Sequence, residues 1–194
     1  LDARFICGWS HMYCDLLDQL REKVIRKKSR TIINWLVENN QRRHAHYGDS
    51  AYLLEPNLKE GRGGLRDYHT MRWIGQIEFN IKQTRDLEFL GLLSYEEFQS
   101  LKRSLAFIWK VRNRLHFLCG RKYDQLHFEN QIKLAEILRY KKSKGQQPVV
   151  RFLGELHGRM ESLKQQHLMF LYEMGLEKKR KRRRKLQKQS QFEG

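Results

Sequence analysis

Apolar residues recur at three- and four-residue spacing through most of the chain, the period of amphipathic helices rather than of half-buried strands. Met12, Leu16, Leu17, Leu20 and Val24 form one such stripe, which predicts a first helix over residues 10–26 with Ser10 as its N-cap. Ser29 is placed to cap a second helix, with Ile32, Ile33, Leu36 and Val37 inward and Gly48 as a C-cap. A third helix, over 65–81, buries Leu65, Tyr68, Met71, Ile74 and Ile77, and a short piece covers 86–92. Ser94 and Glu97 have the spacing of a capping box. They launch a long helix to about Cys119, with Phe98, Leu101, Leu105, Ile108, Val111, Leu115 and Leu118 on its core side and Gly120 at its end. Residues 129–140 predict another helix, and Pro148 suits the first position of a final one running towards Gly175. Long helices with short connections predict an all-α fold, an antiparallel bundle of five to seven helices. Residues 1–176 are expected to form that one domain. Residues 177–194 are expected to be a polybasic tail, disordered or a frayed helix extension.

The periodicity breaks over 49–64. Residues 51–54 read as a short extended piece. Glu55-Pro56-Asn57-Leu58-Lys59-Glu60-Gly61-Arg62-Gly63-Gly64 follows, a loop with three glycines in four positions that runs into the third helix. Two readings fit. A helix N-terminus with unpaired N–H groups attracts phosphate, and Lys59, Arg62 and Arg66 add full charges, with Asp67 in the first turn to cap the helix or orient a ligand. Alternatively, the glycines let this backbone approach another element closely. No Gly-Lys-Ser/Thr follows, so this is not a Walker loop, and the spacing is wrong for a dinucleotide fingerprint.

Charge changes the picture more than size does. The 194 residues carry a net charge of +17, with 40% hydrophobic and 31% charged residues and only two prolines. Nine Lys/Arg and one acid in 177–188 supply almost half of that charge, and the remainder is still basic. A basic body implies an anionic partner: a nucleotide, a nucleic acid or an acidic protein surface. Cys7, Cys14 and Cys119 are odd in number and form no C-x-x-C pair, which favours a reducing cytoplasm over a disulfide framework. No apolar run is long enough to span a bilayer, so no membrane association is expected.

Two stretches carry a resemblance. Glu55 to Asp67 resembles the P-N-x-K-x-G-x-G-G-L-R-D segment in the helical middle region of bacterial PII uridylyltransferase/uridylyl-removing enzymes, and a related G-G-[LI]-R-D segment occurs in glutamine synthetase adenylyltransferases. Arg112, Leu115, His116, Gly120, Arg121, Asp124, Leu126, Phe128 and Gln131 resemble that family's R-x-x-L-H-x-x-x-G-R-x-x-D-x-L-x-F-x-x-Q pattern. The opening Leu1-Asp2-Ala3-Arg4 is similar to the D-A-R stretch that follows the family's nucleotidyltransferase core. The resemblance covers roughly residues 1–140. It implies the substrate-side domain of an enzyme of nitrogen metabolism that moves UMP from UTP to a tyrosine of the PII signal protein, with Mg²⁺. It further implies a nucleotidyltransferase core, in the same or a separate chain, as partner. The core's G-S-x-x-D-x-D motif and the His-Asp dipeptide of the uridylyl-removing half are both absent here. No catalytic or metal-binding residue is therefore expected in this chain.

The residues expected to meet nucleotide or partner are Lys59, Gly61, Gly63, Gly64, Arg66, Asp67, Arg112, His116, Arg121 and Asp124. Arg112 and His116 share a helix face, where with Arg121 and Asp124 they either contact phosphate or knit helix to loop. His44 and His46 are two apart and point to different faces, which argues against a metal pair. Trp9, Trp35, Trp73 and Trp109, one per helical region, read as core anchors. The rival reading is a basic binding module whose tail, Lys178 to Lys188, holds nucleic acid through counterion release or an acidic protein surface.

Overall fold

The computed structural model describes residues 3–48, 54–143 and 145–176. Among the described residues the fold is all-α: α1 (Ser10–Gln19), α2 (Arg26–Tyr47), α3 (Leu65–Phe79), α4 (Asp86–Phe89), α5 (Tyr95–Cys119), α6 (Phe128–Ile137) and α7 (Pro148–Glu173). Only isolated β-bridges, such as Asn57 with Gln125, stand outside the helices. No helix among the described residues is long and apolar enough to cross a membrane. The expected tail and the extended piece at 51–53 lie outside the described residues.

One sequence expectation fails at the N-terminal end. Ser29 starts no new helix, because α1 passes into α2 through one π-helical segment, Leu20–Ile25, and the chain stays helical from Ser10 to Tyr47. No glycine or proline interrupts that stretch, and nothing else there makes ending a helix favourable. The apolar stripe of α1 faces away from the core. None of its residues is buried, and Met12, Leu16 and Val24 face solvent. The helix extends beyond the body of the bundle, so the amphipathic signal is real but no described segment covers it. Trp9, Trp35 and Trp109 are likewise exposed, and of the four tryptophans only Trp73 packs against the core.

The body agrees with the periodicity. Leu65, Tyr68, Met71, Ile74 and Ile77 are all buried on α3, as are Leu101, Ile108, Val111 and Leu115 on α5. The Ser94–Glu97 capping box forms in both directions. Gly120 closes α5 in the left-handed conformation. Helices α5 and α7 run antiparallel: the Ser100 and Ser162 hydroxyls pair at 3.0 Å, and Gln166 Nε2 donates to the Glu97 carbonyl at 2.9 Å. Phe152, Leu156, Leu163 and Phe170 line the α7 side of that seam with essentially no exposure. At about 25 cal/mol per Å² of apolar surface, such side chains supply most of the folding free energy. Helix α3 lies against α2 and α7, and α6 against α5 and α7.

The glycine loop is part of this core. Gly63 has φ of +75°, and a Cβ there would sit 2.1 Å from the Met160 carbonyl oxygen of α7. A Cβ at Gly64 would meet the Gly61 and Lys59 carbonyls at 2.8 Å. The loop thus lies on the α7 backbone with no room for a side chain. Gly63→Ala combines a left-handed penalty with a backbone clash and is expected to cost roughly 2–4 kcal/mol. Urea unfolding checks this, and an unchanged midpoint would contradict the close approach.

Candidate functional site

The first motif folds back on itself before it reaches anything else. The Asn57 side-chain carbonyl accepts the amides of Lys59 (3.1 Å) and Glu60 (2.7 Å), forming an Asx-type turn. The Gly61 amide reaches the Asn57 carbonyl and the Gly64 amide that of Gly61, at 3.0 and 2.9 Å. Leu65 and Arg66 donate to the carbonyls of Leu58 and Lys59 at 3.1 and 2.9 Å. The Gly63 N–H, finally, donates to Asp67 Oδ2 at 2.8 Å. These contacts correct the expectation that free amides at Gly63 and Gly64 donate to a phosphate: the loop's own carbonyls and Asp67 already satisfy them. Gly61, Gly63 and Gly64 serve close packing instead.

Asp67, in the first turn of α3, has no solvent exposure. Its Oδ1 accepts from Arg43 Nη2 (2.5 Å), His44 Nε2 (2.7 Å) and Asn40 Nδ2 (3.3 Å), all on α2. Asn40 also contacts His167 Nε2 of α7 at 3.3 Å. One carboxylate thereby ties α2, the glycine loop, α3 and, through Asn40, α7. Burial alone would raise the Asp67 carboxyl. The rings of His167 and His44 and the Arg43 guanidinium overcome that and hold it well below the usual carboxylate range. His167 is itself pushed down to about 4, chiefly by burial and against the pull of Asp67. At neutral pH that ring is uncharged, so Arg43 is the standing countercharge. Asn40, Arg43 and His44 were missed from sequence, although their i, i+3, i+4 spacing places them on one helix face. His46, by contrast, is exposed and stacks edge-on with Tyr47.

The second motif docks on the first. Asp124 Oδ1 accepts from Arg112 Nε (2.7 Å) and pairs with His116 Nε2 (2.9 Å), both on α5. The Asp124 carbonyl receives the Leu58 amide at 2.8 Å, and the Leu126 amide goes to the Pro56 carbonyl at 3.0 Å. Gln131 Nε2 donates to the carbonyls of Leu54 and Leu126, while the Phe128 amide donates to Glu55 Oε1. Burial would raise the Asp124 carboxyl, but hydrogen bonds from Arg112 and His116 lower it overall. Arg112, His116 and Asp124 therefore come together and knit helix to loop. Arg121 does not join them; it is exposed over the Tyr123 ring at 5.2 Å. Lys59 and Arg66 both pair with Glu60, at 3.0 and 3.1 Å, at the partly exposed rim. Arg66 also lies 5.6 Å from the Trp73 ring centroid.

Among the described residues no three His, Cys, Asp or Glu side chains gather as metal ligands. Asp67 and Asp124 are engaged by Arg and His, so neither offers a free carboxylate to Mg²⁺, and the donor set does not fit that ion.

Two predictions follow from the Asp67 cluster. Asp67→Asn removes the nearer countercharge of Arg43 in a largely buried position and leaves only Glu60, at 3.9 Å, so denaturant unfolding is expected to show a loss of about 3–5 kcal/mol. His167 has a folded pKa below its ordinary 6.5. Between pH 6.5 and about 4 the unfolded chain binds a proton at this ring that the native chain refuses, so stability falls as acid is added. Asp67, also lowered, contributes stability above its ordinary 3.8 that is lost only in stronger acid. The unfolding free energy is expected to drop on the order of 3 kcal/mol from pH 6.5 to 4. A His167→Gln variant that keeps the same slope in calorimetry would contradict this assignment.

Residues 32–171 match the family model described as GlnD PII-uridylyltransferase. The chain is 34% identical over 79% of its length to a bifunctional uridylyltransferase/uridylyl-removing enzyme from Nitrobacter hamburgensis, covering 16% of that protein. It is 35% identical over 80% of its length to the enzyme of the same description from Cereibacter sphaeroides, covering 17% of it. The chain thus spans about one sixth of the length of these relatives. No solved structure matches it. The match contains Asn40, Arg43, His44, both motifs and His167, so the segment that holds the whole interlocked site is the segment that places this chain in the GlnD PII-uridylyltransferase family.

Proposed function

We propose that the chain is the helical, substrate-side domain of a PII-type uridylyltransferase, which transfers UMP from UTP to a tyrosine of the PII signal protein. Catalysis in this reading belongs to a nucleotidyltransferase core outside these 194 residues, because they hold no G-S-x-x-D-x-D run and no His-Asp dipeptide. Mg²⁺ and UTP would be held by that core's carboxylates. The domain supplies a rigid rim. The observation that carries the reading is the interlocking of the two family motifs, which buries Asp67, ties Arg112 and His116 to Asp124, and sets Lys59 and Arg66 beside Glu60 at a partly exposed rim. A cationic rim on a stiff frame suits an acidic protein surface or the phosphates of a bound nucleotide. A reducing cytoplasm is the compartment such an enzyme would occupy.

The test is titration calorimetry of PII protein into this chain, with and without UTP. Binding is expected, and Lys59→Ala/Arg66→Ala should weaken it about tenfold. Thermal unfolding should stay nearly unchanged, because both side chains are partly exposed. Absence of binding, or binding indifferent to the double substitution, contradicts the reading. Loss of binding on deleting 177–194 instead would favour the polybasic tail.

A further inference from the structure

A groove outside both motifs lies where α5, the end of α6 and the start of α7 converge, with a cavity volume of about 410 Å³. That is within the usual range for small-molecule sites, roughly 300–1,000 Å³. Lys110, Arg139, Lys141 and Arg151 line it, and among the described residues Glu155 is its only carboxylate. Glu155 is already engaged: it accepts from Tyr140 Oη at 2.5 Å and from Arg159 at 3.4 Å. Arg151 donates to the Lys141 carbonyl at 2.6 Å, which satisfies a donor without neutralising its charge. Among the described residues Lys110, Arg139 and Lys141 form no ion pair, so the groove keeps an excess of positive charge. Four cations around one concavity repel each other, and an anion relieves that repulsion.

Arg139 stands at the C-terminal end of α6. It sits in the left-handed region with φ of 61°, where glycine is the relaxed choice. That conformation closes α6, with the Tyr140 amide donating to the Ala135 carbonyl at 2.9 Å, and it fixes where the Arg139 side chain leaves the helix end. Phe107 and Tyr140 supply flat apolar surface beside the cations. Guanidinium groups from two different elements match the paired oxygens of phosphate better than a single lysine does.

We propose that this groove binds a small molecule bearing at least two phosphoryl groups. The groove's charge is carried by Arg139, Arg151, Lys110 and Lys141. The proposal is independent of the cationic rim at Lys59 and Arg66.

The experiment is titration of tripolyphosphate and, separately, of UTP into the chain without divalent metal at low salt. Arg139→Gly is the informative substitution, because it removes the charge and leaves a residue at home in the same backbone conformation. Combined with Lys110→Gln it is expected to weaken both ligands about tenfold or more, with the thermal midpoint unchanged or raised, and affinity should fall steeply with salt. Lys59→Ala/Arg66→Ala should leave this binding untouched. Equal affinity for the two probes assigns recognition to the phosphates alone, and tighter UTP assigns an added contribution to Phe107 and Tyr140. The proposal is overturned if neither probe binds, if Arg139→Gly/Lys110→Gln binds as well as the parent, or if a poly-glutamate peptide binds as tightly as tripolyphosphate.

Discussion

A carboxylate with no solvent exposure, Asp67, is the constraint around which the site is arranged. Taking an ionised group out of water costs several kcal/mol unless partners replace the lost hydration. Here one oxygen receives Arg43, His44 and Asn40 from α2, and the other receives the Gly63 amide. Each partner is fixed by an element that the carboxylate itself holds in place. The arrangement therefore behaves as a unit, and removing one member leaves the others with unsatisfied charge or donors.

The glycines follow from that constraint. For Gly63 to give its N–H to Asp67, the loop must press against α7 at Met160, and only a residue without Cβ fits there in a left-handed conformation. Asn57 then turns the chain and presents Leu58 to the Asp124 carbonyl, which joins the second motif to the first. A run that looks in sequence like a phosphate cradle is thus a clasp between four elements. In the proposed function its contribution is rigidity at the rim where Lys59 and Arg66 flank Glu60.

Much of the bundle was legible from apolar spacing, because α3 and α5 bury one continuous face each and Ser94 with Glu97 signals its own helix start. Spacing alone does not say whether a stripe has anything to cover it. Hence α1, whose Met12 and Leu16 are as periodic as any core pair, forms as its spacing predicts and yet stands exposed. The tryptophans misled for the same reason. The motifs located the site, and the pairing of Arg112 and His116 with Asp124 follows from helix spacing plus one turn. Asn40, Arg43, His44 and His167 were not legible as partners of Asp67. Their contacts cross 23 to 127 residues of sequence, a distance at which no local pattern constrains pairing.

Native-state hydrogen exchange at the amides of Gly63, Gly64 and Leu65 tests the clasp most directly. If those donors are held as described, they open only with the bundle, and their exchange free energies approach that of global unfolding. Exchange at rates near those of an unstructured loop would show amides facing solvent, and the account of a closed, Asp67-centred clasp would then be wrong.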